Sequence, residues 1–460
     1  MGGDLETTDA ARADAPEPTF ADLTTLRVGG PIRRLVDATT QRDLVDFALE
    51  AWVDGEPWMV LGGGSNLLVG DEGFDGTVIR IRTRGIEVLA GDDRRSGSDG
   101  GASRDQVAGD DRRSRSDEGA SRDQVAGDDR GSRSDGGASR DQVDDPASVR
   151  IRVQAGEVWD DLVAWTVDRG FAGIEALSGI PGCVGAAPVQ NIGAYGQELA
   201  STLVAIEFLD EGADAPRRIT ARELELGYRT SVLKQGLAGI VVSIELDLHD
   251  TAAERAVLGE TLSRPVAYPQ LAGALHVDVG DRVPLARVRE SVLELRASKG
   301  MVLDPDDPDT SSAGSFFTNP IVNEHTARSL PGDAPRWYVE ADPVDEVVPL
   351  AAGLEASPLD QFLAHQASLE ASEAPTDAAP QPTLVKLSAA WLIEHAGVGR
   401  GFRLPGSRAA VSSKHTLALT NRGGASAEEV AQLARFVQSR VQAEFGILLH
   451  PEPVVVGLDL

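Results

Sequence analysis

Apolar and polar positions alternate along most of the chain with two different periods. Apolar side chains recur at helical spacing in three segments, Arg42–Trp52, Val158–Arg169 and Ala425–Phe445. In the last segment Ser426 is a possible N-cap. Trp58–Leu61 is a short continuous apolar run, which is typical of a buried strand. Helices and strands mix without strict alternation, and this order predicts an α+β fold.

A strand-like alternation continues on both sides of a long interruption. Residues 76–89 and 148–156 each alternate apolar and polar positions, as the two strands of a hairpin do. Between them, residues 90–143 are three copies of an 18-residue unit that contains no Leu, Ile or aromatic residue. A tandem repeat can build a solenoid, but this unit has too few apolar side chains to offset the entropy of ordering its backbone. We therefore expect a disordered insertion within a hairpin.

Two further segments are poor in core-forming residues. Residues 1–22 and 341–382 are acidic and of low complexity, the second with Pro and Ala throughout. We expect a disordered tail in the first and a surface excursion in the second. The rest of the chain is long enough for two domains, which we place at 23–250 and 260–460.

The charge balance narrows the possible functions. The 460 residues include 43 basic and 73 acidic ones, a formal net charge of −30. Nucleic-acid binding needs a basic face to neutralise phosphates, so this balance argues against that role. No run approaches the roughly 18 apolar residues of a membrane span, and the N-terminus lacks the apolar stretch of a secretory signal. We expect a cytoplasmic protein, and a monomer.

Two glycine-rich segments are candidates for a binding site. Residues 61–69 read LGGGSNLLV, where glycines directly after a strand can form an anion-binding concavity of backbone N–H groups. Leu67–Val69 resembles another strand rather than a helix, which disfavours a Rossmann site and leaves a tight turn as the alternative. Residues 178–196 read SGIPGCVGAAPVQNIGAYG and are uncharged. They favour close packing against a flat or phosphorylated ligand over a buried loop between domains.

Cysteine and histidine usage gives no sign of a metal centre. The single cysteine, Cys183, excludes an intramolecular disulfide and a cysteine-cluster metal site. Its small neighbours indicate a packing residue rather than a nucleophile. No pair of histidines has ligand spacing, so no metal is expected.

Together the two glycine-rich segments resemble the UDP-N-acetylenolpyruvoylglucosamine reductase family, bacterial flavoenzymes of peptidoglycan-precursor synthesis. The resemblance continues, in family order, through GYRTSVLK at 227–234, RASKGMVLDPDDPDTSSAGSFFTNPIV at 296–322, SSKHTLALTNRGGAS at 412–426 and FGILLHPEPVVVG at 445–457. It covers nearly everything outside the three low-complexity segments. It implies a two-domain α+β flavoprotein, with an FAD-binding domain of the vanillyl-alcohol-oxidase type followed by an α+β substrate-binding domain.

The resemblance also implies the cofactors. FAD would be held without a covalent linkage, its pyrophosphate against the glycine loops, and NADPH would be the hydride donor. The implied FAD contacts are Gly62, Gly63, Gly64, Ser65, Asn66, Leu67, Gly179, Ile180, Pro181, Gly182, Gly185, Ala186, Gln190, Asn191, Gly193, Ala194 and Tyr195.

The implied reaction reduces the enolpyruvyl ether of UDP-N-acetylglucosamine enolpyruvate to give UDP-N-acetylmuramate. Hydride from flavin N5 to C3 of the enolpyruvyl group would leave enolate-like charge at C2, which needs a preorganised cation and a proton donor. By their local motifs, Arg229 would stabilise that charge, Ser315 would protonate C2, and Glu452 would share in stabilising the enolate. Contacts to the UDP-sugar are implied at Tyr268, Lys299 and Asn319.

Two other functions stay open at this point. A related flavin oxidase would pass its electrons to oxygen, and a catalytically silent regulator would bind the nucleotide sugar without reacting. The joint presence of Arg229, Ser315 and Glu452 argues against both.

Overall fold

The computed structural model describes residues 18–89, 147–339 and 383–460. The expected repeat insertion and acidic excursion lie outside the described residues, as does the expected tail up to residue 17. The last five residues of that tail are folded, so its predicted boundary at 22 is wrong. Phe20 begins a short helix and is fully buried, because it packs with Ile32 and Val69 in a small apolar cluster.

Strands and helices are both plentiful in the described residues. The strands are β1 Ile32–Ala38, β2 Trp58–Leu61, β3 Leu67–Val69, β4 Phe74–Ile81, β5 Ile86–Val88, β6 Ser148–Gln154, β7 Phe171–Ala172, β8 Gly193–Ala194, β9 Gln197–Glu198, β10 Leu203–Asp210, β11 Arg217–Thr220, β12 Gly239–Asp250, β13 Ile321–Asn323, β14 Arg336–Val339, β15 Leu384–Leu387, β16 Ala409–Val411, β17 Leu419–Asn421 and β18 Val454–Val456. The helices are α1 Phe20–Leu23, α2 Gln41–Asp54, α3 Trp159–Arg169, α4 Ala252–Leu258, α5 Pro269–Leu275, α6 Leu285–Ser298, α7 Glu324–Ser329, α8 Ala389–His395 and α9 Ala427–Phe445. None of them is both long and apolar enough to cross a membrane.

Two sheets enclose the larger core. β1, β4 and β2 form a parallel sheet in the order β1-β4-β2, and an antiparallel sheet has the order β11-β10-β12-β6-β5, with β7 paired to the end of β12. Ile79 of the first sheet, Ile151 and Ile244 of the second, and Trp159 of α3 all belong to one buried cluster. The packing of helices α2 and α3 against these strands confirms the α+β expectation.

The predicted hairpin is confirmed only for the later part of its first strand, residues 86–88. β5 pairs antiparallel with β6, with Ile86 opposite Val153. The earlier part of that predicted strand lies in β4, which pairs instead with β1 and β2 in the parallel sheet. Four successive residues, Gly76–Ile79, are buried, as is typical of a parallel strand covered on both faces.

The three predicted helices are confirmed, and local capping explains where two of them, α2 and α9, begin. The hydroxyl of Ser426 accepts a hydrogen bond from the Glu429 N–H, and the Glu429 carboxylate accepts one from the Ser426 N–H, a capping box that starts α9. Thr40 and Asp43 form the same arrangement at α2. Gly446 ends α9 with a φ of 69°, which glycine adopts without strain.

The two halves of the chain interlock. The core around α9 also contains Leu26, Val28 and Leu68 from the N-terminal half. β18, near the C-terminus, pairs in parallel with β3. N-terminal residues therefore contribute to the core around α9, and the glycine segment before β3 lies beside the C-terminal segment that ends in β18.

Candidate active site

A cavity of about 530 Å³ is lined by residues from both halves of the chain. This volume is within the usual range of ligand pockets, roughly 300–1,000 Å³. Most of the predicted site residues line it, namely Gly62, Gly63, Gly64, Ser65, Asn66, Leu67, Ile180, Pro181, Gly182, Gly185, Ala186, Gln190, Gly193, Arg229, Ser315 and Glu452.

The two glycine-rich segments touch each other in the cavity wall. A β-carbon placed on Gly63 would stand 2.6 Å from the Cα of Gly182, so only glycine allows this approach. The hydroxyl of Ser65 donates a hydrogen bond of 2.9 Å to the carbonyl of Pro181. Cys183 is buried against Gly62, and burial raises the pKa of its thiol. It therefore packs the loops together, as its neighbours in the sequence predicted.

Polar side chains form a continuous chain of contacts along one wall. The Nε of Arg229 lies 3.2 Å from Oε1 of Glu452, and the amide of Gln190 donates to the same oxygen at 3.3 Å. The amide of Asn66 in turn donates to Gln190 at 3.2 Å. Burial raises the pKa of the Glu452 carboxyl, although Arg229 and Lys234 oppose this shift. A carboxyl with a raised pKa keeps its proton at a higher pH than an exposed one.

Arg229 is held rigidly by the backbone around it. Its φ of 56° lies in the left-handed region, which is uncommon for a side-chain-bearing residue and is often found at functional sites. Its guanidinium donates to the carbonyls of Gly193 at 2.8 Å and Asn191 at 3.4 Å. The positive charge is thus preorganised at the cavity wall.

Ser315 follows a glycine turn and precedes a segment fixed on both sides. Gly314 has a φ of 73°. The N–H of Phe316 donates to the Leu417 carbonyl at 2.7 Å, and the N–H of Glu452 donates to the Phe316 carbonyl at 2.9 Å. Because the residue after Ser315 is bonded directly to the backbone of Glu452, the two predicted catalytic side chains are held in a fixed register.

Some predicted residues do not line the cavity: Gly179, Asn191, Ala194, Tyr195, Tyr268, Lys299 and Asn319. For Asn191 the reason is visible, because its side chain is occupied within the protein. Its amide donates to the Gly227 carbonyl at 3.1 Å and its oxygen accepts from the Ala200 N–H at 2.9 Å. Asn191 therefore supports the turn that carries Arg229 instead of facing the cavity. Gly179 likewise donates its N–H to Asp160 at 2.6 Å.

The residues expected to contact the sugar nucleotide fall into two places. The rings of Tyr268 and Tyr195 pack edge to face with centres 5.9 Å apart, and the Nζ of Lys299 lies 5.5 Å from the Tyr195 ring centre. Burial, together with the nearby charge of Arg296, lowers the pKa of Lys299. Asn319 lies elsewhere, and its side-chain oxygen accepts from the Ala389 N–H at 2.9 Å, at the start of α8.

Two cations of the cavity were missed in the sequence analysis. Among the described residues that line it, Arg229, Lys234 and Arg296 are cationic, and Glu452 is the only carboxylate. The Nε of Arg296 is buried without a hydrogen-bond partner in the described part of the chain. Buried donors are rarely left unpaired, so this one favours an anionic or carbonyl-bearing ligand. Arg296 stands three residues before Lys299 in the RASK segment, and this position was the sequence signal that could have identified it as a site residue.

These features fit a flavin dinucleotide. Touching glycine loops bring bare backbone to the cavity wall, and the cationic lining matches a ligand that carries phosphates. The described residues contain no group of three or more His, Cys, Asp or Glu side chains that could hold a metal ion. The fold and the cavity are those expected of a two-domain α+β flavoprotein.

Comparisons with known proteins identify the family. A family model described as "FAD binding domain" matches residues 139–214, and one described as "UDP-N-acetylenolpyruvoylglucosamine reductase, C-terminal domain" matches residues 306–456. UDP-N-acetylenolpyruvoylglucosamine reductase of Leifsonia xyli is 50% identical over 443 residues, covering 96% of this chain and 99% of the relative. The reductases of Salinispora arenicola (38% identical, 99% of both chains) and Nocardia farcinica (40% identical, 96% of this chain and 89% of the relative) are also similar. The chain belongs to the UDP-N-acetylenolpyruvoylglucosamine reductase family.

Family membership confirms several expectations drawn from the sequence. The predicted resemblance, an FAD-binding domain joined to a second domain, and the class of FAD-dependent oxidoreductases all agree with these matches. FAD is the cofactor.

Gly63→Ala is expected to weaken FAD binding by about 10- to 100-fold, since overpacking costs about 1–3 kcal/mol and each 1.4 kcal/mol is tenfold in affinity. The added methyl would press on the Gly182 backbone and part the two loops. Titration of the apoprotein with FAD, followed by flavin fluorescence, measures the effect. Gly399→Ala is the matched control, because a β-carbon there meets nothing within 4 Å. Equal affinity in the two variants would show that the contact between the loops does not matter for the cofactor.

Proposed function

We propose that this protein catalyses the NADPH-dependent reduction of UDP-N-acetylglucosamine enolpyruvate to UDP-N-acetylmuramate, a step of peptidoglycan-precursor synthesis. The observation that supports it most is the presence of Arg229, Ser315 and Glu452 on one cavity with both glycine segments. The relatives bear the name of this reductase and match the chain over nearly its whole length.

Bound without a covalent link, FAD would supply hydride transfer from NADPH to C3 of the enolpyruvyl group. The protein then has to stabilise the negative charge that develops at C2 and its carboxylate. Arg229 suits this task, because its guanidinium is already fixed by two backbone carbonyls and needs no reorganisation. Reduction is complete when C2 receives a proton.

Ser315 is the proposed donor of that proton. A serine hydroxyl is a weak acid in water, but a carbanion is a base strong enough to take its proton. Glu452 contacts Arg229, and the raised pKa of its carboxyl would let it hydrogen-bond to the enolate in its protonated form. The two side chains would thus act on neighbouring atoms of the substrate.

The outer contacts belong to the same proposal. Lys299 and Tyr268, which lie together beside Tyr195, would bind the diphosphate of the UDP-sugar, and Asn319 would contact the sugar. A monomeric state and a cytoplasmic location remain predictions.

The purified protein is expected to be yellow, and to lose its visible absorbance when NADPH is added without air. Adding the enolpyruvyl substrate should then restore the absorbance and yield UDP-N-acetylmuramate, and NADH in place of NADPH tests the nucleotide preference. Anaerobic absorbance spectra with product analysis provide the measurement. A colourless protein that takes up no FAD would indicate a silent binder, and reoxidation by oxygen but not by substrate would indicate an oxidase. Either result would overturn the proposal.

A further inference from the structure

A buried carboxylate fastens the loop that carries Ser315 to the hairpin β16–β17. Asp309, six residues before Ser315, is only 3% exposed. One of its oxygens accepts from the Ser413 N–H at 2.8 Å, and the other from the Ser413 hydroxyl at 2.5 Å. The guanidinium of Arg422 lies 2.9 Å from the first oxygen. Ser413 lies in the loop between β16 and β17, and Arg422 directly follows β17, so a single carboxylate ties both ends of the hairpin to the loop that carries Ser315.

The surroundings of Asp309 favour the charged form of its carboxyl group. Burial by itself would raise the pKa of its carboxyl, but the hydrogen bonds from Ser413 and the charge of Arg422 outweigh burial and lower it. The group is therefore ionised at neutral pH, and a charged acceptor makes stronger hydrogen bonds than a neutral one.

Further contacts continue the attachment from Asp309 towards Ser315. The Asn421 N–H donates to the Ser311 carbonyl at 2.9 Å, and Ser312 forms a bridge with Thr420. The Thr25 hydroxyl donates to the Ser312 carbonyl at 2.6 Å. Beyond Ser315, the next backbone contact is that of Phe316 with Leu417. Ala313–Ser315 is thus a short span between two attachments to the same hairpin.

We propose that Asp309 is a positioning residue for Ser315: by fixing the loop to the hairpin β16–β17, it sets where the Ser315 hydroxyl stands in the cavity. This inference rests on the proposed role of Ser315 as proton donor. Asp309 itself does not line the cavity, so it would act only through the loop. Precise placement matters because a displacement of about 1 Å can cost about 100-fold in rate.

Asp309→Asn is the direct test, because it keeps the size of the side chain and removes its charge and one acceptor oxygen. The asparagine oxygen can still accept from the Ser413 N–H and Arg422, but its NH2 cannot accept from the Ser413 hydroxyl, and the negative charge that pairs with Arg422 is lost. We expect reoxidation of the reduced flavin by substrate to slow by about 10- to 100-fold, while reduction by NADPH keeps its native rate. The apparent KM for the substrate should change much less than kcat, as for an interaction made only in the transition state.

A double-mutant cycle with Ser315→Ala separates positioning from a general loss of stability. If Asp309 acts through Ser315, adding Asp309→Asn to Ser315→Ala should slow reoxidation no further. Glu245→Gln on β12 is the matched control. Glu245 is also a buried carboxylate between two guanidinium groups, and those of Arg152 and Arg218 each lie 2.8 Å from one of its oxygens. This variant should lower the melting temperature without slowing either half-reaction.

The outcomes distinguish the two proposals. If Ser315→Ala alone leaves reoxidation unchanged, the role of Ser315 as donor fails. If Ser315→Ala is slow but Asp309→Asn reoxidises at the native rate, or if the two losses multiply, the positioning role of Asp309 fails. Should Asp309→Asn not fold, Ser413→Ala removes only the hydroxyl contact with Asp309. The same non-additivity with Ser315→Ala is then expected, and multiplying losses would overturn the inference.

Discussion

Ser315→Ala is expected to slow reoxidation of the reduced flavin by the enolpyruvyl substrate by about 10²- to 10⁴-fold, the usual contribution of general acid catalysis. Reduction by NADPH should keep nearly its native rate, because it needs no proton at C2 of the substrate. The substitution removes one oxygen, and it does not touch the contacts that hold the loop, which are made by Asp309, Ser312 and Phe316. Rapid-mixing absorbance measurements on each half-reaction show whether the loss is confined to the second.

An exposed serine provides the control for this experiment. Ser329→Ala changes an exposed hydroxyl that donates to the Thr326 carbonyl within α7, so both half-reactions should keep their native rates. Equal slowing of the two half-reactions by Ser315→Ala would instead make Ser315 a structural residue of the flavin pocket. The proton donor would then have to be another group.

Arg229→Lys is expected to lower the rate of reoxidation by about 10²- to 10³-fold, comparable with the loss of one oxyanion-stabilising donor in other enzymes. Lysine keeps the charge but not the planar fork. It cannot hold the Gly193 carbonyl and Glu452 at once in the way the guanidinium does. Substrate-dependent reoxidation, followed in the stopped-flow instrument, measures the change. Arg217→Lys, at a half-exposed pair with Asp210, serves as the control.

The pH dependence gives an independent check on the Arg229 and Glu452 pair. Burial raises the pKa of Glu452, and the Arg229 charge opposes that shift. Arg229→Gln removes the opposing charge, so the pKa of Glu452 should rise further and the corresponding limb of the pH–rate profile should move to higher pH. Arg229→Lys keeps a cation and should leave that limb nearly in place. Identical profiles for the two variants would show that Glu452 does not titrate in the reaction.

Much of the site could be predicted because its residues stand in long local motifs. The glycine-rich composition of the segments 61–69 and 178–196 indicated that their backbone could closely approach a ligand, and most of the contacts predicted in them line the cavity. Asn191 does not line the cavity, because its side-chain amide forms hydrogen bonds with residues nine and 36 positions away. Arg296 was overlooked because a single arginine in a helix looks like ordinary surface charge until its neighbours are known.

The sequence by itself determined the helices α2, α3 and α9, the strands β2, β3 and β6 and the motif residues, since capping boxes and apolar periodicity act over a few positions. Only the tertiary structure decided that β4 joins the parallel sheet, that Gly63 touches Gly182, and that Asp309 bonds Ser413 across 104 positions. A local pattern records which face of an element is apolar, but not which distant element covers it. The position of Ser315 depends on such distant partners, and so it is a property of the folded chain.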